Sequence, residues 1–390
     1  MSRNFQNVHI DESVKDSKIA KKAAEHFDTT EVVTEKDIIP HFREGKNTLK
    51  IAEKKGEVFD TCSTMSKKYV CCNIKVIKAV KNCPYDCSYC FLQNYLNDGT
   101  TTVVSDIDAI MDEVKSKIEA HPWRLWRIGS WELGDSLALE NETGQAAELI
   151  EAFSDLPNAI LELKTKSNNI GRILDCNHNG KTVVAWSLNT EDIVNQQEHR
   201  TARLNERIDA IETVVKAGYP VAFHFDPMIL YEGWEDGYTD LINRLFQNIE
   251  GKDIAWISVG SLRFNPEMKK KMEINFPKQT LTTEEMVLGD DGKVRYIKPL
   301  RLQMYRHITN ELKRHLGIES LSPTQDPNQN LPIFYYCMER PDVWEKTLGD
   351  SPEGIGHLDY LFARSMQTRF SAYSNLKEPN LGVYQLFENS

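Results

Sequence analysis

This chain of 390 residues contains six short apolar segments separated by amphipathic helical stretches, and this alternation limits the folds that the chain can adopt. The segments lie at 76–80, 125–133, 159–164, 182–188, 220–225 and 254–259. Strands that alternate with helices are joined by right-handed crossovers, which generate a parallel sheet. Such a sheet binds its ligand at the carboxyl ends of its strands. We therefore predict an α/β fold whose parallel sheet is either open or curled into a partial (βα)6 barrel of the TIM type.

The regions on either side of these segments lack this alternation. Residues 1–68, rich in lysine and acidic side chains, are predicted to form an N-terminal extension to a core barrel at 69–275. Residues 276–390 are predicted to form a C-terminal lobe that faces the substrate. Within that lobe, residues 278–295, built around the glycines and aspartates at 289–292, are predicted to form a hairpin or a loop. The aromatic residues near the C-terminus provide surface for packing.

The charge of the chain argues against some functions. Lysine and arginine supply 47 positive charges against 58 negative ones, a net charge of −11. A protein that coats nucleic acid or an anionic membrane needs a basic face that normally shows in this sum. The longest apolar run, at 331–338, is far shorter than the ~20 residues that span a bilayer. The polar first 13 residues lack the apolar core of a signal peptide. We expect a cytoplasmic protein with no membrane partner.

Six of the eight cysteines lie between residues 62 and 90. In a reducing compartment, clustered cysteines bind metal or do chemistry more often than they form disulfides. Cys83, Cys87 and Cys90 have the spacing C-x3-C-x2-C, directly after the first predicted strand. Three thiolates on one loop can hold three irons of a four-iron cluster and leave the fourth open to a small molecule. The alternative is structural zinc, but zinc normally takes four ligands, and the chain has no second C-x2-C pair.

This spacing, with Tyr89 just before the third cysteine, resembles the signature of the radical S-adenosylmethionine superfamily. Residues 71–344 resemble the spore photoproduct lyase family in particular. The stretches that carry the resemblance are CSYCFLQ at 87–93, HNGKT at 178–182, SLN at 187–189 and YEGWEDGY at 231–238. The resemblance implies a [4Fe-4S] enzyme that cleaves S-adenosylmethionine to a 5′-deoxyadenosyl radical. It also implies an external one-electron reductant such as flavodoxin or ferredoxin.

The resemblance further implies which residues bind the cofactors. Cys83, Cys87 and Cys90 would bind the cluster. Tyr89 would contact the adenine, and Lys166 would pair with the cofactor carboxylate. The remaining implied contacts lie at the ends of the second and fourth strands: Ser130, Trp131, Ser187 and Asn189. The alternatives are that Lys166 is a surface lysine and that Ser187 and Asn189 are polar residues that merely end a strand.

Two positions depart from the family pattern. The family has a tyrosine after the third cluster cysteine, where this chain has Phe91. It has a cysteine that returns a hydrogen atom, where this chain has Glu132. No cysteine lies between Cys90 and Cys176, so the hydrogen-return step lacks both of its known carriers. Cys176 or Cys337 could act instead from another loop, or both could be buried apolar cysteines.

Four polar residues are candidates for the reaction itself. Glu132 and Asp135, after the second strand, predict a polar pocket with a general acid or base. His224 and Asp226 alternate along the fifth strand and therefore point to one face at its carboxyl end. They could bind substrate or transfer protons. They could also hydrogen-bond to each other and fix the end of the strand.

A basic stretch at 293–314 points to a nucleic-acid substrate. It carries seven lysines and arginines against one glutamate, 7 − 1 = +6, with two tyrosines interleaved. Such a stripe suits phosphate contacts and base stacking, but it could equally be a solvated helix face with paired charges. Arg295, Lys298 and Arg301 of this stretch are predicted to contact nucleic acid, and the family resemblance implies the same for Arg263, just after the sixth strand.

Three functional hypotheses follow from the sequence. The first is a radical S-adenosylmethionine enzyme, a lyase-like protein that acts on a base of DNA or another nucleic acid. The second keeps the radical chemistry but acts on a peptide or a small metabolite. The third is a nucleic-acid-binding module whose cysteines hold a structural metal.

Overall fold

The computed structural model of the protein describes residues 5–34, 38–63, 68–325 and 331–388. The strands are β1 (Asn7–Asp11), β2 (Thr30–Val33), β3 (Thr48–Ala52), β4 (Phe59–Thr61), β5 (Lys75–Ile77), β6 (Val80–Lys81), β7 (Asp86–Cys87), β8 (Thr101–Val104), β9 (Trp126–Gly129), β10 (Ala159–Thr165), β11 (Thr182–Ser187), β12 (Glu198–His199), β13 (Val221–Met228), β14 (Ile254–Ser261), β15 (Arg263–Phe264), β16 (Met286–Leu288), β17 (Val294–Tyr296) and β18 (Ile333–Tyr336). The α-helices are α1 (Lys18–His26), α2 (Phe42–Gly45), α3 (Leu92–Tyr95), α4 (Ile107–Glu119), α5 (Glu140–Thr143), α6 (Gln145–Phe153), α7 (Glu191–Gln197), α8 (Leu204–Lys216), α9 (Trp234–Leu245), α10 (Pro266–Asn275), α11 (Lys298–Leu316), α12 (Pro341–Leu348), α13 (Ile355–Arg369) and α14 (Leu381–Glu388).

The largest sheet has eight strands in the order β18-β14-β13-β11-β10-β9-β5-β4. Neighbours from β18 to β5 run parallel, and β4 pairs antiparallel with β5. Each of the six predicted segments contributes a strand, although the first is split. Its β5 half pairs with β9, whereas its β6 half pairs with β8 in a second sheet. The predicted α/β fold is confirmed, with seven parallel strands where six were predicted.

The seventh parallel strand, β18, comes from the C-terminal region and shows how far the sheet curls. Tyr335 in β18 is buried, and its ring lies 5.3 Å from the Arg127 guanidinium in β9. Five strand spacings separate β9 from β18, which would be about 24 Å in a flat sheet. The sheet therefore bends round on itself as a partial barrel. At the open seam, Val70 and Glu339 form an isolated antiparallel bridge.

Residues near the N-terminus build most of a second sheet, in the order β2-β1-β3-β8-β6. In it, β6 pairs antiparallel with β8, and the other pairs are parallel. Because β6 and β8 flank the cysteine motif in sequence, this sheet borders the segment that carries the motif. The division of the chain at residues 68 and 275 stays a prediction.

The region after the barrel strands contains the predicted hairpin. β16 and β17 pair antiparallel, and β17 also pairs with β15. Gly292, in the connecting turn, has a φ of 78°, in the left-handed region that favours glycine. The hairpin prediction is therefore confirmed. Among the residues that the structure describes, no helix has the length and apolar character needed to cross a bilayer.

Candidate active site

The cysteine loop, residues 82–91, is held through its backbone. Within it, β7 pairs antiparallel with β12, which places Cys87 opposite Glu198. The side-chain amide of Gln93 donates to the carbonyl oxygen of Cys90 at 3.0 Å. The loop is thus fixed at one side by the segment that follows α7 and at the other by α3.

A buried carboxylate of this loop is ion-paired with residues of the segment between β2 and β3 of the second sheet. Asp86 is 2% exposed and lies 3.2 Å from the ammonium of Lys46, which is itself 0% exposed. The guanidinium groups of Arg43 and Arg200 lie 3.6 and 3.4 Å from the same carboxylate. Burial raises the pKa of Asp86, but these cations lower it, and the net effect is a lowered pKa. The ammonium of Lys46 also donates to the carbonyl oxygen of Tyr85. The N-terminal region, to which the sequence assigned no chemistry, therefore supports the cysteine loop.

The three thiols of the motif line one cavity of about 570 Å³, a volume in the range of ~300–1,000 Å³ that suits an organic cofactor. Cys83 and Cys87 are buried, and Cys90 is half-buried. Burial raises the pKa of Cys83 and raises that of Cys87 to about 12. A metal ion deprotonates the thiols that coordinate it. Three soft donors on one loop fit a cluster with three ligated irons.

The arrangement of possible ligands also bears on the zinc alternative. Within the described ranges, no group of three or more histidine, cysteine, aspartate or glutamate side chains is placed to hold a metal ion. A structural zinc ion needs four such ligands around one point. A four-iron cluster spreads its thiolates over separate irons. Cys83, Cys87 and Cys90 number three, one fewer than a structural zinc ion takes and the number that a four-iron cluster with one open iron uses.

Two of the predicted cofactor residues lie together beside the cysteine loop. The ammonium of Lys166 is 5.6 Å from the centre of the Tyr89 ring, and both side chains line the cavity. The Tyr89 hydroxyl donates to Glu198, which also pairs with Arg207 at 2.6 Å. Although burial lowers it, the Glu198 carboxylate raises the pKa of Lys166. Lys166 is a charged cavity lysine, so the surface-lysine alternative is wrong.

Ser187 and Trp131 also line the cavity. The indole N–H of Trp131 is buried and has no hydrogen-bond partner among the described residues, which leaves a donor for a ligand. Gly129 allows the ring to sit there, because a Cβ at this position would lie 2.4 Å from the indole nitrogen. The indole N–H of this cavity residue is therefore an unsatisfied buried donor that lies against Gly129.

The remaining two predicted cofactor residues are turned to other partners. The Ser130 hydroxyl is 2.8 Å from that of Ser136. The Asn189 amide donates to the Pro227 carbonyl oxygen at 2.9 Å and accepts from the Tyr238 hydroxyl at 2.7 Å. Neither Ser130 nor Asn189 belongs to the cavity lining. Both side chains stabilise the ends of strands in this structure.

The two carboxylates after the second barrel strand have different surroundings. Glu132 lines the cavity and accepts from the N–H and the hydroxyl of Ser63 at 2.5 and 2.7 Å. Its Oε2 atom is buried without a hydrogen-bond partner among the described residues. Asp135 accepts from the Thr165 hydroxyl at 2.6 Å and the Lys166 N–H at 2.7 Å. Burial raises the pKa of Asp135. Asp135 therefore joins its loop to the end of β10, whereas Glu132 keeps one oxygen for a ligand.

His224 bonds to a glutamate that the sequence did not single out. Its Nε2 lies 2.7 Å from Glu162 Oε1, and its Nδ1 lies 2.6 Å from Ser258 Oγ. Burial lowers the pKa of His224 to about 4. Although burial raises it, the hydrogen bond from His224 lowers the pKa of Glu162 to about 2. His224 thus links Glu162 to Ser258 through its two ring nitrogens.

Asp226 has a different partner, so the predicted His–Asp hydrogen bond is wrong. Its Oδ1 lies 2.9 Å from Nη1 of Arg263, and Nη2 of the same guanidinium lies 3.1 Å from Cys337 Sγ. All three side chains line the cavity. Cys176 lies elsewhere, with its thiol donating to the Arg172 carbonyl oxygen at 3.4 Å. Of the two cysteines considered for hydrogen return, the structure brings Cys337 alone to the cavity.

The basic stretch at 293–314 does not form a continuous exposed stripe. Arg295 and Arg301 are 2% and 5% exposed. They are ion-paired with Asp291 and Glu339, respectively. The prediction that these two arginines lie on a phosphate-contacting surface is wrong, because their charges are neutralised inside the protein. Lys298 is partly exposed and paired with a carboxylate of α12.

Two buried acids of the site were missed from the sequence. Glu162 left a signal, because a lone carboxylate inside the apolar segment 159–164 can be buried only with a partner. Glu198 left none, since Tyr89, which donates to it, lies 109 residues away in sequence. Local patterns cannot reveal such a partner.

Comparison with known proteins places these observations in a family. The family model described as spore photoproduct lyase matches residues 5–319. A spore photoproduct lyase of Bacillus subtilis (strain 168) is 28% identical over 259 residues, which cover 65% of this chain and 73% of that protein. A spore photoproduct lyase of Clostridium acetobutylicum is 24% identical over 298 residues, which cover 73% and 86%. A solved spore photoproduct lyase mutant with bound AdoMet and dinucleoside spore photoproduct has a TM-score of 0.71 at 22% identity, covering 86% of this chain and 99% of that chain.

Proposed function

The chain belongs to the spore photoproduct lyase family, and we propose that it is a radical S-adenosylmethionine enzyme that acts on a base of DNA or another nucleic acid. The observation that carries this proposal is the cavity in which the three loop thiols meet Tyr89, Lys166 and Ser187. The solved relative described with bound AdoMet and dinucleoside spore photoproduct supports both the cofactor and the class of substrate.

Different residues of the cavity bind different parts of the cofactors. Cys83, Cys87 and Cys90 would hold the cluster, which when bound would supply the one-electron chemistry that cleaves S-adenosylmethionine, with a flavodoxin or ferredoxin as the reductant. The Lys166 ammonium pairs with the carboxylate of S-adenosylmethionine. The Tyr89 ring, fixed through its hydroxyl by Glu198, contacts the adenine. The Ser187 hydroxyl and the free indole N–H of Trp131 provide further hydrogen bonds.

Other cavity residues suit a nucleic-acid base. The free oxygen of Glu132 is an acceptor, and the Arg263 guanidinium is a donor. A base edge presents both donors and acceptors to such a pair. We assign substrate contact to Glu132 and Arg263. His224, Asp135 and Asp226 position the cavity wall through the hydrogen bonds described above.

Anaerobic reconstitution of the protein with iron and sulfide tests the radical chemistry. After reduction in the presence of S-adenosylmethionine, we expect methionine and 5′-deoxyadenosine in equal amounts. A protein with a verified four-iron cluster that forms no 5′-deoxyadenosine would overturn the proposal. Dinucleoside spore photoproduct, added to the same reaction, tests the substrate class.

Lys166→Met tests the proposed contact to the cofactor. We expect the affinity for S-adenosylmethionine to fall about 10- to 100-fold, since a hydrogen bond to a charged group contributes ~1.5–3 kcal/mol and 1.4 kcal/mol is a factor of ten. Anaerobic calorimetric titration of the reconstituted protein measures the affinity for S-adenosylmethionine. Lys181→Met is the matched control, because that ammonium donates to the Pro157 and Ala372 carbonyl oxygens instead. Equal affinities in the two variants would remove Lys166 from the site.

Helix α10 offers a basic surface beside the cavity. Met268, near its start, lines the cavity, while Lys269, Lys270 and Lys271 are exposed. Replacing these three lysines with glutamate should weaken binding of a single-stranded oligonucleotide. The slope of log affinity against log salt should fall by about 2, since each phosphate contact to single strands contributes ~0.7. Fluorescence anisotropy over a salt series measures the slope.

The matched control carries the same charge change on α11. It replaces Lys298, Arg306 and Arg314, whose side chains already bond to partners within the protein. We expect a smaller change of slope in this variant. A larger change on α11 than on α10 would return the nucleic-acid surface to the stretch at 293–314.

A further inference from the structure

A second group of thiols lies in the same cavity, outside the C-x3-C-x2-C motif. Cys62, Cys71, Cys72 and Cys337 all contribute to the lining. Cys71 and Cys72 precede β5, whereas Cys337 directly follows β18. The two segments therefore come from opposite edges of the parallel strands and meet at the seam of the barrel. None of these cysteines is needed to hold the cluster assigned to the motif.

The pairing of the two segments indicates which thiols face each other. Val70 and Glu339 form an antiparallel bridge, with the Val70 N–H donating to the Glu339 carbonyl oxygen at 3.0 Å. One residue further along each segment, Cys71 and Met338 pack in one apolar cluster. Continued by one further residue, this antiparallel register would set Cys72 opposite Cys337, and the two thiols interact electrostatically. Directly opposed residues of such a pair have Cβ atoms about 4.5–5.5 Å apart, close to the separation that a disulfide requires.

The groups around Cys337 keep its thiol protonated and in place. Burial and the Asp226 carboxylate raise the pKa of Cys337. The Arg263 guanidinium donates to the sulfur at 3.1 Å and is itself fixed by Asp226 at 2.9 Å. Cys72 differs, because a hydrogen bond from Cys71 lowers its pKa to about 6. One thiol of the pair thus carries a hydrogen atom, while its neighbour readily becomes a thiolate.

We propose that Cys337 donates a hydrogen atom to the carbon radical formed on the substrate, and that Cys72 then joins it in a disulfide. This inference rests on the proposed radical chemistry, in which a substrate radical must gain a hydrogen atom before it leaves as product. The S–H bond of Cys337 breaks, a C–H bond forms on the product, and a thiyl radical remains on Cys337. The sulfur of Cys72 bonds to it with loss of a proton, and one electron passes to the oxidised flavin or iron–sulfur carrier. A dithiol reductant restores both thiols by exchange.

Solvent isotope labelling tests the hydrogen transfer. Thiol hydrogens exchange with water, so the reconstituted protein in deuterium oxide should place one deuterium in the product of dinucleoside spore photoproduct, the probe used. Cys337→Ser should lose this deuterium while 5′-deoxyadenosine still forms, and Cys176→Ser should retain both. A Cys337→Ser product that still carries solvent deuterium would overturn the inference. Absence of 5′-deoxyadenosine from every variant would instead point to failure of the proposed function.

A second measurement needs no substrate. The full-length protein, oxidised with glutathione disulfide and mapped by mass spectrometry, should yield a peptide that links Cys72 to Cys337. Cys72→Ser should abolish that link and leave the fold, followed by circular dichroism, unchanged. No link to Cys337, or a link from Cys337 to any other cysteine, would overturn the pairing, independently of the result with dinucleoside spore photoproduct.

Discussion

Cys87→Ala is expected to abolish binding of iron and sulfide and, with it, all formation of 5′-deoxyadenosine. Alanine preserves the backbone pairing of Cys87 with Glu198, so the loop should keep its course while one of three cluster ligands is lost. A cluster that already lacks a fourth protein ligand cannot be held by two thiolates. Iron and sulfide analysis after anaerobic reconstitution, followed by chromatography of the reaction products, measures both effects.

Cys176→Ala is the matched control for that variant. It removes the same atom from a half-buried cysteine whose thiol bonds to Arg172 away from the cavity. We expect unchanged iron content and unchanged product. A Cys87→Ala protein with a full complement of iron and normal cleavage would show that the motif does not hold the cluster.

Glu162→Gln is expected to destabilise the fold by about 3–5 kcal/mol, the usual cost of leaving one member of a buried ion pair without its partner. Glu162 is 0% exposed, and its Oε2 lies 4.0 Å from the Nε of Arg127, which is 5% exposed. None of the three guanidinium nitrogens of Arg127 has a hydrogen-bond partner among the described residues. The positive charge therefore depends on Glu162, on the neighbouring Cys72 and Asp359 side chains and on the surrounding rings. Urea unfolding of the variant and the parent measures the difference.

Two further variants separate the buried charge from other effects. Arg127→Met combined with Glu162→Gln removes both charges and should recover much of the lost stability. Glu250→Gln, which breaks an exposed pair with Lys252, should cost no more than ~1 kcal/mol. If Glu162→Gln costs no more than this surface change, the buried pair does not stabilise the barrel.

The barrel strands could be predicted because their signal is local. The segment predicted at 159–164 is the strand Ala159–Thr165, and 182–188 is Thr182–Ser187. Both are runs of buried apolar residues, which a strand covered on both faces requires. The same reasoning treated the aromatic residues of 331–338 as packing surface of a lobe, whereas Ile333–Tyr336 is a further parallel strand. Its partner, β14, lies far away in sequence, so nothing local distinguishes the two outcomes.

The candidate site could be predicted only where a motif carries it. Cys83, Cys87 and Cys90 are brought to one cavity with Lys166, as their positions in the family pattern imply. The pairing of Asp226 with Arg263 rather than with His224 could not be read from alternation along β13. Alternation shows which face a side chain uses, but not which strand supplies its partner. The buried arginines at 295 and 301 were misjudged for the same reason.

The supports of the cysteine loop have a consequence for fragments of the chain. The loop at 82–91 is braced from one side by Arg43 and Lys46 and from the other by Glu198 and Arg200. These braces are contributed by segments more than 150 residues apart in sequence. Bringing together segments so far apart costs chain entropy, and contacts within the loop alone cannot offset that cost. A peptide carrying the motif alone would therefore present its three thiols in no fixed arrangement. Limited proteolysis within 43–200 should abolish iron binding even where the remaining parts of the chain stay folded.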